Sequence, residues 1–386
     1  MREVIAERAK RVPPSGIRRF FELVMGMEEV ISLGVGEPDF VTPWHIREAC
    51  VYALERGYTM YTSNYGMLEL REEIAKRLER DYSLSYDPAD EILVTVGVSE
   101  GYDLAIRALV DPGDQVVVHE PSYVSYKPCT IFAGGEPVVV ETRVDDEFKL
   151  TPEGLEKKIT DKTKALILSY PNNPTGATMD RKELEEIADI VIEHDLVVVS
   201  DEVYDKLTYE GEPCSFASLN GMQERTVLLN GMSKAYAMTG WRIGYAASNS
   251  EVIEAMMKIH QYGMLCAPIM SQMAAIEALR NGEREVREMR QQYIERRNLI
   301  VRRLNEMGLE CFNPKGAFYA FPSIRAIGLS SEEFAEELLR KKKVAVVPGN
   351  AFGDCGEGFV RCSYAASIND ISEAMDRMED FVKDCL

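Results

Sequence analysis

The chain has little of what several large protein classes require. Of its 386 residues only four are histidine, at 45, 119, 194 and 260, and its eight cysteines, at 50, 129, 214, 266, 311, 355, 362 and 385, include no Cys-x-x-Cys pair. Metal centres and disulfide frameworks need such groups at close spacing, so neither is expected, and the thiols read as free and mostly buried. Positive charge is also scarce: 44 Lys and Arg against 64 Asp and Glu leave a formal charge of -20. The basic residues form no segregated tract, which argues against a nucleic-acid partner. No apolar run is long enough to span a bilayer, and Met1 to Lys10 alternates charges where a signal peptide has an apolar core. The expectation is a cytoplasmic protein with no membrane partner.

What is present is the composition of a globular protein, 46% hydrophobic and 28% charged, with a length suited to about two to three domains. From about Asp90 to Tyr245, short β-branched runs alternate with amphipathic stretches. The runs are Glu91–Val96, Asp114–Val118, Lys164–Ser169, Asp195–Ser200 and Thr226–Leu229. Continuous apolar runs suit strands covered on both faces, so the predicted architecture is α/β with a mostly parallel central sheet. A charged helical segment over about Glu283 to Met307 leads out of this region. Beyond it, Cys311 to Pro322 and Val344 to Val347 read as strands, and Glu332 to Lys342 and Ile371 to Cys385 as helices. The expected division is a large domain over 45–282 and a smaller α+β domain built from 1–44 and 283–386.

The chemistry concentrates in Gly231-Met-Ser-Lys-Ala-Tyr-Ala-Met-Thr-Gly-Trp-Arg242. One lysine, Lys234, lies between small residues beside Ser233, and Arg242 follows eight positions later. That arrangement suits covalent capture of an aldehyde cofactor together with a grip on its phosphate. Pyridoxal phosphate is the electron sink that uses a lysine in this way, and it also needs a carboxylate beneath its ring nitrogen. Asp201, at the end of an apolar strand, is the candidate carboxylate, although a helix cap or turn is its plainer role. Tyr204, three residues on, is either a hydroxyl donor to the cofactor's phenolic oxygen or core.

Four further segments converge on the same chemistry. Pro171-Asn-Asn-Pro-Thr-Gly176 is a turn at the carboxyl end of a strand, where α/β proteins keep ligands, and it offers Asn173. Gly97-Val-Ser-Glu-Gly101 sits between a strand and the helix Tyr102 to Leu109, so Gly97, Val98 and Ser99 present backbone N–H groups at a helix N-terminus to an anion. The same segment matches the Gly-x-Ser-x-Gly elbow of α/β-hydrolases, a rival reading with Ser99 as nucleophile. That rival needs a late histidine, and the last, His260, reads instead as a packed or polar residue behind a site. Tyr123 at a strand end is either packing or a stacking platform. Arg361, inside the apolar stretch Gly358–Tyr364, needs a carboxylate, supplied by a structural ion pair or by a substrate.

Taken together, these motifs resemble the class I/II aminotransferases of pyridoxal-phosphate fold type I, from about Pro14 to the C-terminus. The resemblance implies that Lys234 holds the cofactor covalently and serves as the catalytic acid–base. It assigns Ser233 and Arg242 to the phosphate, Asn173, Asp201 and Tyr204 to the ring, and Arg361 to the substrate α-carboxylate. Tyr61, in Tyr61-Thr-Ser-Asn-Tyr-Gly66, matches a tyrosine that reaches the neighbouring subunit's phosphate. Gly36, in Leu33–Phe40, matches a loop at the substrate carboxylate. A homodimer with shared active sites follows, as does ping-pong transfer from an L-amino acid, whether aspartate, aromatic or broad range, to a 2-oxo acid such as 2-oxoglutarate. A carbon–sulfur β-lyase on the same cofactor is the alternative within the fold. Two departures stand out. Gly231 occupies a position where many members carry a hydroxyl, so one phosphate contact is missing or replaced. Ser99 stands where some aspartate-using relatives carry a lysine, which weakens the case for strict aspartate specificity.

Overall fold

The apolar runs in the middle of the chain assemble into one seven-stranded sheet. In the computed structural model, which describes residues 4–14 and 27–385, the strands are β1 (Ile92–Thr95), β2 (Gln115–Glu120), β3 (Glu136–Glu141), β4 (Thr163–Ser169), β5 (Val197–Asp201), β6 (Thr226–Gly231) and β7 (Gly244–Ala247). Their order is β1-β7-β6-β5-β4-β2-β3, and all neighbouring pairs are parallel except the two made by β7. The predicted mostly parallel α/β sheet is therefore observed. Because Ser169 pairs with Asp201, and Asp201 with Leu229, the carboxyl ends of the central strands meet at one edge, where ligands bind in such sheets.

Alternating side chains of these strands pack against helices on both faces. On one face Leu93, Val116, Ile167 and Val199 meet α3 (Val98–Leu109) and α6 (Ser250–Gly263) through Leu104, Ile253 and Met256. On the other, Val94 and Leu228 meet α1 (Trp44–Glu55), α2 (Leu68–Tyr82) and α7 (Ile269–Asn281), while Leu166 and Val198 meet α5 (Arg181–Glu193). Burying each such aliphatic side chain contributes about 1.5–3 kcal/mol. A charge at Val198, fully buried in a central strand, would therefore disrupt both the sheet and the strand end that carries Asp201.

Two strands escaped the sequence reading. In β3, Glu136-Pro-Val-Val-Val-Glu141, most side chains are only partly buried at the sheet edge, so the run is short and flanked by acids. In β7 the residues are Gly-Tyr-Ala-Ala, a composition of low strand propensity. Small residues there answer to packing: a Cβ at Gly244 would lie 2.8 Å from the carbonyl carbon of Gly97 and 3.1 Å from the carbonyl oxygen of Asn230.

The remaining elements gather around a second core that includes Leu33, Tyr293, Phe318, Phe334, Tyr364 and Phe381. Helix α8 (Glu283–Glu306) presents one stripe to it, Met289, Tyr293, Ile300 and Leu304, and its charged residues lie largely outside that stripe. Helix α9 (Ser331–Lys342) begins with a capping box in which the Ser330 and Glu333 side chains each accept from the other's backbone N–H, as Ser-x-x-Glu predicts. Helix α10 spans Ile368–Cys385. The expected strands here need correction. Pro314, Gly316 and the left-handed Ala317 break the run from Cys311 to Pro322, leaving Tyr319–Ala320 as a strand together with isolated Cys311–Pro322 and Thr208–Gly316 bridges. Val344–Val347 splits between two sheets: Val344–Ala345 pairs parallel with Ile31–Ser32, whereas Val347–Pro348 joins Val360–Ser363 and Tyr319–Ala320 in an antiparallel sheet. Residues 1–3, 15–26 and 386 of the expected small domain lie outside the described residues. All eight cysteines are free, but only Cys311 and Cys362 are buried and the rest are partly exposed, so fewer thiols are enclosed than expected. No helix among the described residues is long and apolar enough to cross a membrane.

Candidate active site

A cavity of about 330 Å³ opens where the carboxyl ends of β1, β2, β4, β5 and β6 meet the second core, and its lining includes Lys234, Asp201, Asn173, Arg242 and Arg361. Gly36, Val98, Ser99, Tyr123, Tyr204 and Ser233 also face it. The fold thus brings together residues spread over more than 300 positions of the sequence. Tyr61 is not among them. It is largely exposed, at 79%.

Lys234 follows β6. Its Nζ donates to the carbonyl oxygen of Gly36 at 2.7 Å and lies 5.7 Å from the centre of the Tyr204 ring. Burial, reinforced by the positive charges of Arg361 and Arg242, holds the Lys234 amine down at about 8, while Glu37 and Asp201 oppose that shift. Such a lysine reaches its neutral, nucleophilic form far more readily than a surface lysine.

Asp201 ends β5 and is buried. Its Oδ2 accepts from the Tyr126 hydroxyl at 2.8 Å and its Oδ1 from the backbone N–H of Val203 at 3.2 Å. Burial raises its pKa, and the hydrogen bonds and the charge of Lys234 only partly offset this. Among the described residues Asp201 forms no ion pair. Arg361 shows the converse. Buried at 3% exposure, it donates from Nη1 to Asn173 Oδ1 at 2.8 Å and from Nη2 to the Gly34 carbonyl at 2.7 Å. Its guanidinium lies 4.5 Å and 4.7 Å from the ring centres of Tyr319 and Phe352, and its Nε has no partner among the described residues. No carboxylate within those residues pairs with it, so the structural ion pair allowed by the sequence is not formed. Burial accordingly lowers its pKa.

The anion end of the cavity is built by close backbone approach. Gly97 caps α3 at φ +79° with no side-chain cap, which leaves the first N–H groups of the helix to be satisfied from outside. A Cβ at Gly97 would sit 2.5 Å from Nη2 of Arg242, so this glycine lets the guanidinium reach the turn. Ser99 lies within the first turn of α3, which begins at Val98 and not at Tyr102 as the sequence suggested. None of the described histidines hydrogen-bonds it: His260 pairs with Glu100 at 2.7 Å, and His119 accepts from the Ser169 N–H. The charge relay that a serine hydrolase needs is therefore absent among the described residues. The departure at Gly231 also has a steric cause, since a Cβ there would lie 3.0 Å from both the Cα of Gly244 and the carbonyl oxygen of Ile243.

Sequence reasoning missed two residues. Tyr126 orients Asp201, and Tyr319 shares a 2.7 Å hydrogen bond between its hydroxyl and that of Tyr204 while covering Arg361. Each tyrosine stands in an ordinary apolar or turn context, where packing is the default reading. The only hint was indirect: a buried Asp201 must have a donor.

Comparison with known proteins agrees with this geometry. The sequence profile described as Aminotransferase class I and II matches residues 28–378. The chain is 53% identical over 382 residues to a putative aminotransferase, YugH, of Bacillus subtilis, covering 99% of both chains. It is 49% identical over 383 residues to the aspartate aminotransferase of Pyrococcus abyssi, covering 98% of both. The solved structure of an aromatic aminotransferase from Pyrococcus horikoshii matches with a TM-score of 0.91 at 48% identity, covering 95% of this chain and 99% of that one. Profile, relatives and fold type I architecture coincide over nearly the whole chain, which belongs to the class I and II aminotransferases.

Proposed function

We propose that this aminotransferase binds pyridoxal 5'-phosphate and moves the amino group of an L-amino acid, drawn from an aspartate, aromatic or broad-range set, to 2-oxoglutarate by ping-pong exchange. The observation that carries the reading is a pair of buried charges in one cavity that have no ion-pair partner among the described residues: the carboxylate of Asp201 and the guanidinium of Arg361. A protonated ring nitrogen would complement the first and an amino acid's α-carboxylate the second. The rest of the lining fits the same cofactor. Lys234, with its lowered pKa, suits an aldehyde, and Arg242, Ser233 and the α3 N-terminus at Gly97–Ser99 suit a phosphate. Tyr123, Asn173 and Tyr204 would flank the ring.

Bound pyridoxal phosphate supplies an electron sink for the carbanion formed at the amino acid's α-carbon. Arg361 binds the α-carboxylate through its planar fork, with Asn173 and Gly34 fixing that fork, and so directs the α-proton toward Lys234. Lys234 Nζ would take this proton as general base and give it back as general acid within the same half-reaction, and the second half-reaction would reverse both transfers. Asp201, held by Tyr126, would hold the ring nitrogen in its protonated form. The Tyr204–Tyr319 pair supplies a hydroxyl donor whose proton is retained, since burial holds the Tyr204 phenol well above its usual range. Gly36 lines the carboxylate side.

The proposal includes a homodimer, with Tyr61 reaching the partner's site. Support comes from exposed apolar side chains on α1 and the loops after it, Trp44, Tyr52, Met60 and Tyr61, with Tyr262 and Met264 nearby in sequence to Leu265, whose carbonyl accepts from Asn64 Nδ2 at 2.7 Å. Such apolar surface marks an interface. We also propose the domain division 45–282 against 1–44 with 283–386, which the separate core around Tyr293 and Phe334 supports, and a cytoplasmic location. The test is a single-turnover experiment with protein loaded with pyridoxal phosphate, adding one amino acid at a time. One equivalent of 2-oxo acid per site without free ammonia is expected. Ammonia released together with pyruvate would replace transamination by the β-lyase reaction.

A further inference from the structure

Two polar side chains next to the site have no role in the mechanism above. Glu100 stands in the first turn of α3, directly after Val98 and Ser99, which line the cavity. Its carboxylate is used twice: Oε2 accepts from the backbone N–H of Val96 in a short contact, and Oε1 meets Nδ1 of His260 at 2.7 Å. Val96 is the residue between β1 and Gly97, so this contact ties the entry of the turn to its exit. His260 comes from a different element, α6, and its side chain is wholly buried. Its Nε2 has no hydrogen-bond partner among the described residues, so its one hydrogen bond goes to Glu100. A relay role would need both ring nitrogens engaged; a single bond from a buried ring serves to hold its partner in place.

We propose that Glu100 and His260 form a positioning pair that fixes the Val96–Ser99 turn for the cofactor phosphate. The proposal rests on the assignment of that turn to the phosphate made above. Gly97, at φ +79° and with no side-chain cap, is the most permissive link in the turn. Without an anchor its backbone would sample orientations in which the N–H groups of Val98 and Ser99 no longer converge. Glu100 closes the loop from Val96 across Gly97, and His260 prevents the carboxylate from swinging into the anion site, where it would repel a phosphate. The pair therefore acts on phosphate capture and not on the chemistry at the α-carbon.

The test uses the full-length protein freed of cofactor and titrated with pyridoxal 5'-phosphate and, separately, with pyridoxal, which lacks the phosphate. Three variants are compared with wild type: His260→Leu, Glu100→Ala, and Glu100→Gln combined with His260→Leu. His260→Leu is expected to weaken pyridoxal phosphate binding about tenfold or more, the loss that follows when a buried acceptor is stripped of its partner. Pyridoxal affinity should be unchanged. The double variant should regain most of the loss, because the amide oxygen still accepts from Val96 and the side chain no longer carries a charge that repels a phosphate. Glu100→Ala reads the contact from the other side, should His260→Leu fail to fold, and is expected to show the same phosphate-specific loss. Equal losses for both ligands, no loss in either single variant, or a double variant as weak as His260→Leu would each overturn the positioning role. Wild-type protein that binds no pyridoxal phosphate would instead overturn the cofactor assignment, and this inference with it.

Discussion

Replacing Arg361 by alanine separates the binding of a substrate carboxylate from a merely structural role. In the substrate-free protein this guanidinium makes two hydrogen bonds, both to neutral acceptors, Asn173 Oδ1 at 2.8 Å and the Gly34 carbonyl at 2.7 Å. It forms no ion pair among the described residues. Truncation therefore removes two neutral-acceptor bonds and also the desolvation penalty of an unmatched buried cation. These terms oppose each other, so the stability of the free enzyme should change by no more than about 2 kcal/mol. With substrate bound, the same truncation removes a bidentate pair of charge-assisted hydrogen bonds, each contributing about 1.5–3 kcal/mol. The loss is about 3–6 kcal/mol, or roughly 10² to 10⁴ in kcat/KM. Part of it should fall on kcat, because the α-proton is no longer aimed at Lys234. The assay is the amino-donor half-reaction followed by stopped-flow absorbance over a panel of amino acids, with denaturant unfolding of the same preparations. Arg361→Lys, which keeps the charge but loses the fork, should fall between wild type and alanine. A deficit confined to one donor, or below tenfold for all, would refute the reasoning, as would a large loss of stability with kinetics intact.

Three further outcomes follow from the same geometry. Burial holds the Lys234 amine at about 8 against an ordinary value of 10.5. Between those values the unfolded chain binds the proton that the folded cofactor-free protein has already shed, so stability rises with pH across that window; below about 8 both states are protonated and the penalty is complete. The stability gap between Lys234→Met and wild type, measured by denaturant midpoints, should therefore narrow from about pH 7 to about pH 10, and a constant gap would count against a buried lysine. Tyr126→Phe removes the 2.8 Å donor to Asp201 and leaves a buried acceptor under-satisfied. That should cost about 1–3 kcal/mol, read as a fall in kcat with little change in KM; unaltered kcat would mean that Tyr126 only packs. Gly231→Ser would place a Cβ 3.0 Å from two backbone atoms of Ile243 and Gly244, and overpacking of this kind costs about 1–3 kcal/mol. Thermal unfolding should fall without tighter cofactor binding, whereas tighter binding would show that the missing hydroxyl had been accommodated.

The residues that were legible in the sequence share a property: their local pattern departs from what packing alone requires. Asn173 sits in a turn with a second, redundant amide, Lys234 lies among small residues, and Arg361 interrupts an apolar strand. Each calls for a partner the neighbouring sequence does not supply, and each faces the cavity. Strands β4, β5 and β6 were legible for a related reason, being apolar on both sides, whereas β3 at the edge and the small-residue β7 carry no such excess. Tyr126, Tyr319 and Glu100 were hidden because their partners come from elements distant in the chain, and for the same reason His260, read as a packed or polar residue behind a site, could not be given its partner. The separations are 75 residues from Tyr126 to Asp201, 115 from Tyr319 to Tyr204 and 160 from His260 to Glu100. A tyrosine in a turn or a histidine in a helix satisfies local rules whether or not a carboxylate waits across the fold. The sequence therefore exposed the groups that are out of place in their own segment, and the structure was needed to find those that fit their segment and act across the fold. On the proposed function the first kind would contact ligand, with an outside charge completing Asp201 or Arg361, and the second kind would hold the first in place. This distinction gives the two kinds different signatures on mutation: loss of binding or turnover with stability nearly unchanged at Arg361, and loss that a compensating change restores at His260.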